Sequence, residues 1–137
     1  MCAITATLDL KNHTIFSQLF PLLKHRGPDE SAMVDEGWIQ LGCHRLAIVD
    51  PGGGDQPLRS ADNRWLLAFN GEIYNFHLLR EKFSNYPFRT QTDGEVIFPL
   101  IEREGSAGLN QLRGMFAFVL VNLVTREFLA ARDPFCL

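Results

Sequence analysis

A surplus of positive charge is missing from this chain. Its 13 Lys and Arg are outnumbered by 16 Asp and Glu, for a formal net charge of −3. No basic track is available to follow a phosphate backbone, which excludes nucleic acid as the expected partner. Cysteine is scarce and odd in number, three in 137 residues. That is no disulfide scaffold and favours a reducing compartment. Long apolar runs are lacking too. Nothing approaches the roughly 20 residues that span a bilayer. The N-terminus turns polar within "TATLDLKNH" instead of building an apolar signal segment. No membrane association is expected, and the cytoplasm is the default location. The three Cys and four His never fall at the short spacing of a zinc site, so no metal is expected. "PGGGDQP" lacks the Gly-Lys-Ser/Thr of a phosphate-binding loop and reads as a flexible connection.

What is present suits one packed domain: 46% apolar residues, eleven of them Phe, with no internal repeat. Cys2 to Leu8 alternates as a strand, with Ile4, Ala6 and Leu8 set against Thr5 and Thr7. "TIFSQLFPLL" has helical spacing broken by Pro21. Two short strands, Ser31 to Val34 and Trp38 to Leu41, flank an Glu36-Gly37 turn, and "RLAIVD" reads as a further strand. "RWLLAFNGEIY" reads as a strand to Phe69 followed by turn residues. Asn75 is placed to cap a helix carrying Phe76, Leu79 and Phe83. Asp93 is placed to cap another carrying Val96, Ile97, Leu100 and Ile101, with Pro99 inside the pattern. "GLNQLRG" suits a helical turn. "MFAFVLVN" and "REFLAARD" suit two antiparallel strands joined at "NLVT". Strands, then helices, then strands again imply layered α+β structure.

Several residues admit two readings. Cys2 is either a small hydrophobe opening a strand or, once Met1 is removed, a nucleophile. In the second case its own α-amine serves as base, because amine and thiol have neighbouring pKa values, roughly 7.7–8.0 and 8.5. Asn70-Gly71 is either a turn or a pair of oxyanion donors, side-chain amide and backbone N–H. Arg45 either snorkels or forks onto a carboxylate. Asp93 either caps a helix or faces a substrate ammonium. The functional readings together describe acyl transfer on an amino acid with a side-chain amide, namely glutamine.

The stretches "MCAI", "HRGPDE", "LGCHRLAIVD", "QPL", "FNGEIYNFHLLR", "TQTDGEVI", "LRGMFAF" and "ARDPF" run in order along the chain. In that order they resemble the class II glutamine amidotransferase domain, an N-terminal-nucleophile hydrolase. The branch it looks most like is the glutaminase half of glutamine-hydrolysing asparagine synthetases. The resemblance implies a four-layer αββα sandwich over residues 1–137, incomplete at its C-terminus and lacking its last strands. It implies Cys2 as the catalytic thiol and Asn70 and Gly71 as the oxyanion hole. Arg45 would hold the substrate α-carboxylate. Asp93, with Glu72 and the Gly71 backbone, would hold the α-amino group, and Arg26 and Gly27 would belong to a loop closing near the nucleophile.

By the same resemblance, glutamine would be hydrolysed through a Cys2 thioester. The ammonia would pass to an ATP-dependent synthetase domain or subunit absent from this chain, and a homodimer is one assembly it allows. This domain would need no cofactor; ATP and Mg would belong to the synthetase part. The alternative is a non-catalytic fragment or relic that binds glutamine weakly or serves only as a protein contact. The chain departs from the family at Ala3 (family Gly), at Cys43 and His44 (family His and Arg) and at Cys136 (family Gly). The Ala3 methyl, beside the nucleophile, is expected to crowd the backbone if that position needs unusual φ/ψ or close substrate approach, and missing return strands are expected to leave the polypeptide poorly stable and nearly inactive.

Overall fold

A computed structural model describes residues 2–8, 14–48, 50 and 52–135. Strand β1 (Ala3–Thr7) leads to helix α1 (Thr14–Leu19) and a 3-10 segment (Phe20–Arg26). Strands β2 (Glu30–Asp35) and β3 (Gln40–Arg45) follow, then the short β4 (Leu58–Arg59) and the long β5 (Trp65–Ile73). Helix α2 (Phe76–Lys82), a 3-10 turn (Gly94–Val96), helix α3 (Ile97–Glu104) and a second 3-10 segment (Gly105–Gln111) come next. Strands β6 (Gly114–Asn122) and β7 (Glu127–Arg132) complete the order.

The strands form two antiparallel sheets, β1-β3-β2 and β4-β5-β6-β7. The pleat sends alternate residues to opposite faces, and each sheet uses both. Ile39 and Leu41 of the first sheet meet Leu66, Ala68 and Val121 of the second. The other face of the second sheet, with Leu67, Phe69, Ile73, Phe118 and Leu120, takes Leu79 and Phe83 at α2 and Ile97, Phe98 and Leu100 at α3. On the outer face of the first sheet, Gly42 lies so near the rings of Phe16 and Phe20 that any β-carbon there would overlap them. The layers therefore run helix, sheet, sheet, helix: the expected α+β sandwich, with two antiparallel sheets flanked by helices.

Pro21 ends the regular helix as expected, and 3-10 geometry takes over. Pro99 is tolerated because it is the third residue of α3, where no intrahelical N–H bond is lost. Three local expectations fail. "RLAIVD" is no separate strand: Arg45 closes β3, and Leu46 to Ile48 are irregular. Asn70-Gly71 is no turn: β5 runs on to Ile73, its register paired with β6 throughout. Asn75 and Asp93 precede their helical segments without capping them through their side chains. Asn75 instead bridges to the chain before β6, donating to the Gln111 carbonyl at 2.9 Å and accepting from the Arg113 N–H at 2.9 Å.

Phe98 is 1% exposed in the larger core, while Phe128 on β7 is 50% exposed. Phe98→Ala should therefore lower unfolding free energy by about 3–5 kcal/mol. Phe128→Ala should change it by roughly 0.5 kcal/mol or less. Urea titrations of the two variants read this directly, and equal losses would contradict the layer assignment.

Candidate active site

The β1–β3 register pairs Ala3 with His44 and Ile4 with Cys43. Because side chains alternate, Cys2, Ile4, Cys43 and Arg45 share the face turned toward the second sheet. Ala3 and His44 point the other way. Ala3 is buried in the ladder at negative φ, so the position needs no unusual backbone conformation and its methyl points away from the Cys2 face. His44 is buried under the 3-10 segment that follows α1, stacked on Phe20 with ring centroids 4.0 Å apart. Its Nε2 meets the Phe20 carbonyl at 2.6 Å, which can only accept, and its Nδ1 meets the Ser31 hydroxyl at 2.7 Å. The residue after Cys43 is thus a structural tie and stands outside the chemistry.

The Cys2 sulfur is half-buried and accepts the Leu46 N–H at 3.3 Å. The Cys43 thiol donates to it as well. That hydrogen bond, with help from the Leu46 N–H and the Arg45 guanidinium, outweighs desolvation and lowers the Cys2 thiol to about 6. Cys43 is pushed the opposite way, by its donation to Cys2 and by burial. Cys2 is the thiol of the pair that ionises first.

Cys2 lies in a cleft that opens to solvent. Arg45, Gly71, Glu72, Thr92 and Asp93 line it with Cys2, and Leu46, Ile48, Leu58, Phe69 and Met115 give it apolar walls. Arg45 is 3% exposed; it pairs with Glu30 at 3.0 Å and donates to the Asp50 carbonyl at 2.6 Å. Asp93 is 4% exposed, and one carboxylate oxygen accepts the Ile73 N–H at 2.6 Å. Burial raises its pKa, and that backbone bond partly offsets the rise.

Gly71 sits at φ +146°, and a β-carbon there would lie 2.1 Å from the Met115 carbonyl oxygen, so only glycine fits. Asn70 shares a strand face with Leu66 and Ala68, toward the sheet bearing Cys2. Its Oδ1 is buried without a hydrogen-bond partner among the described residues, and Asn70 does not line the cleft as Gly71 does. Gly27 is pressed onto β3, where a β-carbon would lie 2.1 Å from the His44 carbonyl oxygen. Asp29 ties the same loop to the end of β3, donating its N–H to the Arg45 carbonyl at 3.1 Å and accepting the Ala47 N–H at 2.9 Å. Arg26 is exposed, and neither Arg26 nor Gly27 lines the cleft. Cys136 and Met1 lie outside the described residues.

Sequence reasoning missed several contributors. The "PGGGDQP" stretch is no mere connection: Gly54 and Gln56 line the cleft, and Gln56 accepts the Phe69 N–H at 2.6 Å. The wall bearing Thr92 and Asp93 is organised by Glu95, which is 1% exposed. Its carboxylate accepts the Arg89 and Thr90 N–H groups at 2.7 and 2.8 Å and the Thr90 hydroxyl at 2.7 Å. No composition or spacing signal marks these contacts, which depend on loop geometry. Among the described residues, no group of three or more His, Cys, Asp or Glu is placed to hold a metal ion, and no helix is long and apolar enough to cross a membrane. The cleft combines an easily ionised sulfur, a buried cation and a carboxylate, which suits acyl transfer on a small zwitterionic substrate.

Comparison with known proteins agrees with this geometry. The family described as the glutamine amidotransferase domain matches residues 1–137. The glutamine-hydrolyzing asparagine synthetase of Triphysaria versicolor is 44% identical over 140 residues, covering 98% of this chain and 24% of that protein. Glutamine-hydrolyzing asparagine synthetase 2 of Arabidopsis thaliana is 44% identical over 139 residues, covering 97% and 24%. The chain spans about a quarter of the length of these curated relatives. Among solved structures, the glutamine phosphoribosylpyrophosphate amidotransferase of B. subtilis, complexed with ADP and GMP, superposes with a TM-score of 0.57. It is 30% identical and covers 72% of this chain and 24% of its own.

The hydrogen bonds to Cys2 carry a pH signature. Alkylation of Cys2 by iodoacetamide should be half-maximal near pH 6, falling below it as the sulfur takes a proton and levelling off above it. Peptide mass spectrometry separates this from Cys43, which should stay unlabelled in the folded chain. An inflection in the ordinary thiol range, near 8.5, would refute the assigned contacts.

Proposed function

This chain belongs to the glutamine amidotransferase domain family, and from that premise we propose that it hydrolyses the side-chain amide of glutamine through a thioester on Cys2. The cleft that joins the Cys2 sulfur to Arg45, Gly71 and Asp93 carries this reading. Removal of Met1 frees an α-amine on the nucleophilic residue itself. With the sulfur already ionised at neutral pH, that amine stands protonated and gives its proton to the departing nitrogen as the sulfur displaces it from the amide carbon. The sulfur–carbon bond forms, ammonia leaves, and water attacks the thioester to release glutamate and restore the thiol.

Charge that develops on the carbonyl oxygen goes to the Asn70 amide and the Gly71 N–H. The Asn70 side chain supports this by its place on the strand face turned toward the sheet bearing Cys2. Arg45 takes the substrate α-carboxylate. Asp93, with Glu72 and the Gly71 backbone, takes the α-ammonium. Arg26 and Gly27 belong to the loop beside the nucleophile, and the tie from Asp29 to the end of β3 supports that position.

The relatives named as asparagine synthetases make aspartate the favoured ammonia acceptor. The B. subtilis neighbour is named for a different partner compound, phosphoribosylpyrophosphate. The acceptor is therefore set by an ATP- and Mg-dependent synthetase domain or subunit that corresponds to the part of the relatives this chain does not span. Residues 1–137 form the glutaminase unit of that pair, a cytoplasmic enzyme in this reading.

Cys2→Ala should abolish glutamate release from glutamine, a loss of about 10³-fold or more. Asp93→Asn, which keeps an acceptor for the Ile73 N–H, should raise KM by roughly 10- to 100-fold with a smaller change in kcat. A diazo-ketone analogue of glutamine should add one label, on Cys2, in chains that have lost Met1. Chains that retain Met1 throughout and take no label would instead favour a non-catalytic glutamine binder.

A further inference from the structure

Cys43 is a second thiol at the nucleophile, in a position where the family pattern reads His. The β1–β3 register sets it on the same sheet face as Cys2, one pleat away. Cys43 is 1% exposed, whereas Cys2 opens onto the cleft. One sulfur is thus reachable by a small oxidant, and the other is reachable only by its neighbour.

We propose that Cys2 and Cys43 form a reversible redox pair, closing as a disulfide under hydrogen peroxide and taking the nucleophile out of service. The electrons balance in two steps. The Cys2 thiolate attacks one peroxide oxygen, the O–O bond breaks, and Cys2 becomes a sulfenic acid while hydroxide leaves and takes up a proton as water. Cys43 then attacks the Cys2 sulfur, the S–O bond breaks, and a second water leaves with the Cys43 proton. Two thiols are oxidised to one disulfide and one peroxide is reduced to two waters.

The arrangement favours this order. While Cys2 is ionised, its charge keeps the Cys43 proton in place. Sulfenic acid formation removes that charge, so Cys43 can ionise when a target sulfur has appeared. Disulfides need Cα atoms within roughly 4.4–6.8 Å. Cys2 stands one residue before β1, and closing the link requires its backbone to approach β3. A second thiol also protects the nucleophile, because a sulfenic acid captured as a disulfide does not proceed to the irreversible sulfinic and sulfonic acids.

The linkage is independent of the glutaminase reading; only the accompanying loss of turnover rests on it. The test treats the purified full chain with a stoichiometric dose of hydrogen peroxide, blocks free thiols and digests without reductant. The expected result is a tryptic peptide ending at Lys11 joined to the peptide 27–45, two hydrogens lighter than its parts. It should disappear with dithiothreitol, with glutaminase activity returning in parallel. In Cys43→Ser the same dose should leave Cys2 as sulfinic or sulfonic acid that dithiothreitol cannot reverse. A wild-type Cys2 recovered over-oxidised, or linked to Cys136 or to a second chain, overturns the proposal. So does a link that forms equally fast in urea, because the fold then contributes nothing. A chain without glutaminase activity that still forms the link would sink the functional reading and leave the redox pair standing.

Discussion

Strand β3 is buried along its whole length, between a sheet on one side and a helix on the other, and the chemistry follows from that confinement. Six consecutive residues with no solvent face must divide strictly by parity. One parity takes Leu41, Cys43 and Arg45 toward the second sheet. The other gives Gly42 and His44 to the helical layer. A slip of one residue in this register would turn Arg45 to the helical face and bring His44 against Cys2. The cost of such a slip is high, since Gly42 admits no side chain beneath Phe16 and Phe20. Packing on the far side of the strand therefore holds the cation beside the sulfur.

The second sheet contributes by close approach of backbone. Gly71 and Gly114 both lie at large positive φ, and each sits where a β-carbon would strike the opposing strand. With side chains removed at these points, β5 can keep its register to Ile73 and still present peptide groups to the cleft. The N–H of Ile73 is then available to Asp93, so the end of the strand fixes a carboxylate that belongs to a different layer.

Much of this was legible in the sequence. Alternation around Ile4, Leu66 and Phe118 marks the strands, and Pro21 marks the end of α1. Asn75 and Asp93 were identified as residues that matter, though for the wrong local reason. Both carry side chains suited to helix caps, and in both cases a distant backbone group competes successfully for them. Asn70-Gly71 misled because its dipeptide chemistry is that of a turn, while nine paired positions along β5 and β6 outweigh that local preference. The placement of Cys2 and Cys43 on one sheet face was the least visible feature. It exists only through the pairing of strands about 40 residues apart in sequence, and nothing in either neighbourhood announces it.

Glu95 shows what rigidity gives such a site. A carboxylate shut away from water, with its bonds to the Arg89–Thr90 stretch complete, cannot shift without leaving donors bare. The wall holding Asp93 therefore keeps a set separation from the sulfur across the cleft, like the fixed jaw of a caliper. For a ligand anchored by its α-amino and α-carboxyl groups, the jaw reads side-chain length. An amide one methylene shorter, as in asparagine, stops short of the sulfur, and a misplacement of about 1 Å can cost 10²-fold in rate. In the proposed binding mode, discrimination between the two amides would come from reach, with no group needed to recognise the difference.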